Sequence, residues 1–187
     1  MQIPRFFFLI ITVKFSVLRF FTRFNFLIAF FILLVILFSR SYERFFVKGL
    51  WAEDAQIFLT ESFSLGLRSI IEPYAGYYHT IPRLVAMFTS FFPITLFPNV
   101  IYIFCLIITA FIFSNLTKRE YSYIIPSLKS RFLLSILFAF LPGLNEILGN
   151  ATNLHWLCFF FIVLVAMKPL KYEYSIFEFG IFFLEIG

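Results

Sequence analysis

Residues 26–39 read Phe-Leu-Ile-Ala-Phe-Phe-Ile-Leu-Leu-Val-Ile-Leu-Phe-Ser, an apolar run without a single charge. Arg5, Lys14, Arg19 and Arg23 precede it, and Arg40 follows. Apolar runs flanked by basic residues are the mark of a membrane span. The run ends in Phe38-Ser39-Arg40, without the small-residue A-x-A pattern of a cleaved secretory signal. Residues 1–25 therefore read as a basic interfacial segment, amphipathic over 5–23, and 26–39 as an uncleaved first span. Positive charge ahead of that span places the N-terminus on the cytoplasmic side.

Composition extends the reading to the whole chain. Of its 187 residues 61% are hydrophobic and only 13% charged, with a mean hydropathy of +0.95. A water-soluble domain has roughly twice that charged fraction, so the excess apolar surface is expected to meet lipid. The net charge of +5 fits basic residues gathered at cytoplasmic loops, and no nucleic-acid partner is expected. Cys105 and Cys158 lie within apolar runs, without disulfide or zinc spacing. The chain contains 32 Phe, a preference over Leu for which we have no physical account.

Working outward, residues 40–97 form the longest polar stretch and are expected outside. Charges alternate there with Trp51, Phe58, Phe63, Tyr74, Tyr77 and Tyr78, aromatics of the membrane–water interface. Ala55, Phe58, Leu59 and Phe63 follow helical spacing, which predicts a short surface helix ended or bent at Gly66. Pro73-Tyr-Ala-Gly76 is a turn signal, and Thr80 with Pro82 a helix start. An interfacial or re-entrant helix is expected over 81–92. Further spans are expected at 98–116, 132–148 and 154–167, separated by the basic loop of Lys118, Arg119, Lys129 and Arg131 and by the polar segment Asn145–His155. Pro142-Gly143 is a signal to kink or end the third, and the alternative for the last two is one helical hairpin that crosses incompletely. The last segment, 174–187, is too short to cross, and reads as a partial span or a truncation. The predicted fold is all-α: a polytopic helical bundle of about four to five spans, with amphipathic surface helices in a long first external loop. The expected location is the plasma (inner) membrane.

Candidate chemistry gathers on the external side. Glu53 and Asp54 are adjacent acids at a predicted helix start, where exposed N–H groups favour carboxylates. One of them also suits a general base or a metal ligand. Glu146 falls on the same side by this topology. Arg83 presents the planar donor fork that phosphate prefers, or snorkels to a lipid headgroup. His79 is four residues before it. His155 and Trp156 open the last span and fit an aromatic belt, with a ligand role the lesser reading for His155. Asn150-Ala-Thr152 matches the glycosylation acceptor pattern.

Trp51-Ala-Glu-Asp54, Asn145-Glu146, Pro73-Tyr-Ala-Gly-Tyr-Tyr-His-Thr-Ile-Pro-Arg83 and Gly149-Asn-Ala-Thr-Asn-Leu-His-Trp156 carry a resemblance. Over residues 24–167 the layout resembles the N-terminal part of the GT-C superfamily of integral-membrane glycosyltransferases, which use polyprenyl-phosphate-linked sugars. The resemblance implies a lipid-linked sugar donor as partner and transfer on the external face. It implies Asp54 as the leading catalytic residue, with Glu53 and Glu146 assisting. Arg83, His79 and Tyr77 are then substrate-binding candidates. Asp54 and Glu146 are candidate ligands for a divalent cation, Mg or Mn. Family members have more spans and a C-terminal domain. The competing expectations are a non-catalytic component of polysaccharide export or lipid-carrier flipping, and a truncated inactive fragment.

Overall fold

A computed structural model of the chain describes the backbone of residues 5–47, 49–169, 178 and 180, with side chains described from residue 24 onward. The expected partial span at 174–187 lies outside the described residues apart from Glu178 and Gly180, as do the side chains of the basic segment 5–23.

The fold is helical. Helix α1 spans Arg5–Phe46, so the run read as 26–39 sits inside a longer helix that has no break after the basic segment. Its one irregular residue is Ser41 (φ −133°, ψ 16°). Ala29, Leu33, Leu37 and Ser41, each four residues apart and so on one face, are all buried. They pack on α4 (Phe97–Ser114), whose buried face includes Ile101, Tyr102, Cys105 and Ala110. The Ser41 hydroxyl donates to the Leu37 carbonyl (2.8 Å) and shares a hydrogen bond with the Tyr102 hydroxyl (2.9 Å). The opposite face of α1 is bare: Phe31 is 61% and Val35 69% exposed.

Two helical segments, Phe24–Phe46 and Ile94–Thr117, are long and apolar enough to cross a membrane. Only 22% of the apolar window in the first is buried, so it is not the wrapped core helix of a soluble domain.

Helices α5 (Leu128–Ala139) and α6 (Leu154–Ala166) complete the bundle. The expected third span over 132–148 does not persist as a helix. Pro142 disfavours the helical conformation at Leu141, which is extended (φ −58°, ψ 132°), and a 3₁₀ turn covers Pro142–Glu146. At twelve and thirteen residues, α5 and α6 are about 18–20 Å long, against a hydrocarbon core of about 30 Å. Both nevertheless run between the two ends of the α1–α4 pair. The last turn of α5 meets α1 where Arg40 donates to the Ala139 carbonyl. After α6, Lys168 binds Glu120 (3.2 Å) and Glu178 (2.9 Å), just beyond the far end of α4. At that end Lys118 also lies over the Phe26 ring, near the start of the α1 segment.

Between α1 and α4 the chain builds a cap. A helix begins at Ala52 and is wound as a π-helix over Asp54–Leu59 before α2 (Thr60–Leu65). Gly66, at φ +58°, ends it as expected, and a 3₁₀ turn follows. Strands β1 (Pro73–Tyr74) and β2 (Tyr77–Tyr78) make a two-residue hairpin. Ala75 (φ +53°) and Gly76 (φ +90°) supply the positive φ at both central residues that such turns need. Helix α3 (Thr80–Thr89) starts where Thr80 and Pro82 predicted.

The loop 140–153 is tied to α1 by arginine. Arg44 donates to the carbonyls of Leu148 and Asn145, both at 2.7 Å, and Arg40 to the Asn145 side chain at 3.0 Å. Gly149, at φ +81°, lies against α4 and Arg44: a Cβ there would sit 3.0 Å from Tyr102 Cδ2 and 3.3 Å from Arg44 Cδ. Gly149→Ala is therefore expected to destabilise the fold by about 1–3 kcal/mol. Gly143→Ala, in the same loop but with open space around it, is expected to stay within about 0.5 kcal/mol of the parent. Thermal unfolding of both variants in detergent checks the contrast.

Candidate functional site

The π-helical segment determines how Asp54 is presented. Hydrogen bonding of the i→i+5 kind is rare and recurs at functional sites. Asp54 is the first residue of the segment and is 1% exposed. Its carboxylate reaches the turn before α6. Oδ2 accepts from the Ala151 N–H (2.9 Å), and Oδ1 from the Thr152 N–H (2.8 Å) and the Thr152 hydroxyl (2.6 Å). Burial nevertheless holds the Asp54 carboxyl above its ordinary pKa of 3.8, outweighing these three donors, with the neighbouring Glu53 charge adding to the rise. The candidate catalytic acid is thus a fully engaged joint between the first polar segment and the third.

Glu53 is half-buried, and its Oε2 has no hydrogen-bond partner. Glu146 is exposed; its backbone carbonyl, not its carboxylate, accepts from the side-chain amides of Asn150 (3.3 Å) and Asn153 (3.1 Å). Asp54 and Glu146 lie on segments that meet at the same end of the bundle. As arranged, they do not fit a hard-cation cage, because the Asp54 oxygens are occupied by protein donors. Among the described residues no group of three or more His, Cys, Asp and Glu side chains could hold a metal ion.

Arg83, on the first turns of α3, is 1% exposed. Its Nη1 pairs with Glu61 Oε2 on α2 at 2.5 Å, and the guanidinium lies over the Phe58 ring, 5.1 Å from its centroid. Nε and Nη2, the other side of the fork, are buried and meet no hydrogen-bond partner. His79, immediately before α3, is 2% exposed, and neither of its ring nitrogens has a partner. Rings enclose it: Tyr77 at 4.4 Å between centroids, His155 at 5.3 Å, Phe58 at 5.4 Å and Tyr74 at 5.5 Å. Burial, then the nearby His155 and Arg83, lower the His79 pKa from 6.5 to about 4. Tyr77 is half-exposed and forms the outer wall.

The sequence reading missed the partners: Thr152 and the Ala151 N–H for Asp54, and Glu61 and Phe58 for Arg83. The Asn150 acceptor motif is corrected. Asn150 is 0% exposed, its amide donates to Glu146, its Oδ1 accepts from the Asn153 N–H (3.2 Å), and the Thr152 hydroxyl is spent on Asp54. The folded chain does not offer it for modification. No family model, curated protein or solved structure matches this chain.

Two predictions follow from the joint and the buried imidazole. Thr152→Val removes one donor to a buried carboxylate and should cost about 1.5–3 kcal/mol, seen as a lower unfolding temperature with helicity intact by circular dichroism. His79 binds a proton less readily in the folded chain than in the unfolded one. Its contribution to stability is complete above pH 6.5 and declines as the pH falls toward 4. Asp54, with a raised pKa, acts in the opposite sense and loses stability as the pH rises through its folded value. His79→Gln should flatten the fall in unfolding temperature between pH 6.5 and 5.

Proposed function

We propose that the chain is a multi-pass membrane protein that engages a polyprenyl-phosphate-linked sugar at its Asp54 end, on the external face of the plasma (inner) membrane, in the manner of a GT-C-like glycosyltransferase. One observation carries the reading: Arg83 is buried and oriented by Glu61, and keeps the Nε–Nη2 side of its guanidinium without a protein partner. That pair of parallel N–H groups suits bidentate contact with a phosphate oxyanion. Glu61 offsets the charge while leaving the directional donors in place. His79 lies near the arginine, and Tyr77 stacks against His79.

The distribution of charge supports the orientation. Arg5, Lys14, Arg19 and Arg23 precede the first apolar segment, and Lys118, Arg119, Lys129, Arg131 and Lys168 gather at the same end. Arg40, Arg44, Arg68 and Arg83 are the basic residues described at the Asp54 end, which also holds Glu43, Glu53, Asp54, Glu61, Glu72 and Glu146. Lysine and arginine in excess on one side mark that side as cytoplasmic. Helices α5 and α6 join the same two ends as α1 and α4, which supports four crossings despite their short lengths.

A second reading draws on the Asp54 joint. A carboxylate holding three donors at 1% exposure is better placed to fix structure than to take a proton from an acceptor. On that reading the same site holds the lipid carrier without transferring its sugar, as a component of export or flipping. The Mg or Mn expectation contributes no step to either reading.

Reconstitution of the full chain in liposomes with a radiolabelled polyprenyl-phosphate sugar separates them. Arg83→Gln is expected to weaken donor binding at least tenfold, or about 1.4 kcal/mol. Undiminished binding would remove the lipid-phosphate site altogether. If the enzyme reading holds, Asp54→Asn abolishes transfer while the protein inserts normally. Donor binding without transfer in the parent chain selects the carrier-binding reading.

A further inference from the structure

The chain contains two histidines, and the fold brings them together. His79 lies just before α3 and His155 in the first turn of α6, with ring centroids 5.3 Å apart and ring planes at 87°. Both His79 nitrogens are buried without a hydrogen-bond partner. A buried imidazole of that kind calls for an explanation, and an ion is one of the few available.

His155 is oriented in the way metal-binding histidines usually are. Its Nδ1 lies 2.6 Å from the Thr152 carbonyl, an acceptor, so Nδ1 carries the proton and Nε2 keeps its lone pair. Thr152 is itself fixed by Asp54, so the ring hangs from the rigid joint. The spacing also fits. Two imidazoles on one tetrahedral ion, with metal–nitrogen bonds of about 2.0–2.1 Å, place their centroids roughly 5.2 Å apart. Tyr77, half-exposed beside both rings, is the outer wall between them and solvent, so an ion would enter by movement of that side chain. Arg83 is the neighbouring positive charge that would oppose a cation, and its ion pair with Glu61 offsets it.

We propose that His79 and His155 form a two-histidine site for a zinc-class transition-metal ion at the Asp54 end. Two nitrogen ligands leave two tetrahedral positions open for water or an oxyanion, the arrangement of an accessible site rather than a closed structural one. Nitrogen ligands select zinc-class ions over Mg or Mn, which prefer oxygen. The inference stands apart from the lipid-phosphate reading, because it requires neither lipid nor sugar.

The test uses the full chain in nanodiscs, purified without a polyhistidine tag and stripped with chelator, then titrated with Zn²⁺ alone by calorimetry. The expected result is one zinc per chain, with affinity reduced at least tenfold in His79→Gln and in His155→Gln. Co²⁺ in place of zinc should give the intense visible absorption of a tetrahedral ion. Zinc should also slow the acylation of the parent chain's histidines by diethylpyrocarbonate, a readout that requires no variant to fold. Absence of zinc binding by the folded parent overturns the proposal. So does zinc binding that both substitutions leave unchanged, or histidine acylation at the same rate with and without zinc. Loss of lipid-phosphate binding in Arg83→Gln would leave all three outcomes where they stand.

Discussion

The buried carboxylate of Asp54 is the constraint on which the Asp54 end depends. Taking a carboxylate out of water costs several kcal/mol unless donors replace the water. Here the replacements come from one short turn, Ala151–Thr152, so burial and position are the same event. The turn is held from three other directions. Arg44 of α1 caps the Leu148 and Asn145 carbonyls, Arg40 reaches the Asn145 side chain, and Tyr102 of α4 lies against Gly149. Asp54 thereby fixes the π-helical segment relative to α1, α4 and α6 at once. Tyr77 and His79, further along the cap, then fall beside His155.

Polar ties matter here more than they would in a soluble bundle. Where lipid surrounds the helices, packing Leu33 and Leu37 on α4 gains little from leaving the solvent, since lipid tails are as apolar as leucine. Helix order and register then rest on van der Waals fit and on a few hydrogen bonds. Ser41 to Tyr102 and Asn99 to the Phe45 carbonyl (2.7 Å) are bonds of this kind between α1 and α4. The arginine ties of α1 extend the same logic to its last turns, where backbone carbonyls of the 140–153 loop satisfy side chains that would otherwise sit at the edge of an apolar layer.

Local features of the fold were legible wherever one residue type dictates one conformation. Gly66 and the Ala75-Gly76 turn require positive φ, and Thr80 with Pro82 suits a helix start; each lies where the sequence placed it. Within 132–148 the break at Pro142-Gly143 was legible as well: Pro142 acts on Leu141 as well as on itself, and the helix stops at Ala139. The π-helical winding at Asp54 has no composition of its own and could not be read. Nor could the partners of the site residues. Arg83 and Glu61 are 22 positions apart on different helices, and Asp54 and Thr152 are 98 apart. No periodicity links such pairs. The adjacent acids Glu53 and Asp54 read equally as a helix start or as a site, and the role of Asp54 as a joint depends on where α6 begins.

Both ends of the bundle hold buried charged and polar groups. At the Lys118 end, Lys168 is buried and answered by two carboxylates, Glu120 and Glu178, which leaves that cluster as an internal tie. At the opposite end Asp54 is answered just as fully. Yet a few residues away Arg83 keeps two donors, and His79 both ring nitrogens, without a protein partner. Each such group costs about 1–3 kcal/mol when buried and unmatched. Arg83 and His79 both lie against Phe58, and the half-exposed Tyr77 stacks on His79. On the two readings proposed above, the directional capacity of Arg83 and His79 would meet an oxyanion or a metal ion, with Asp54 as the frame that positions the cap.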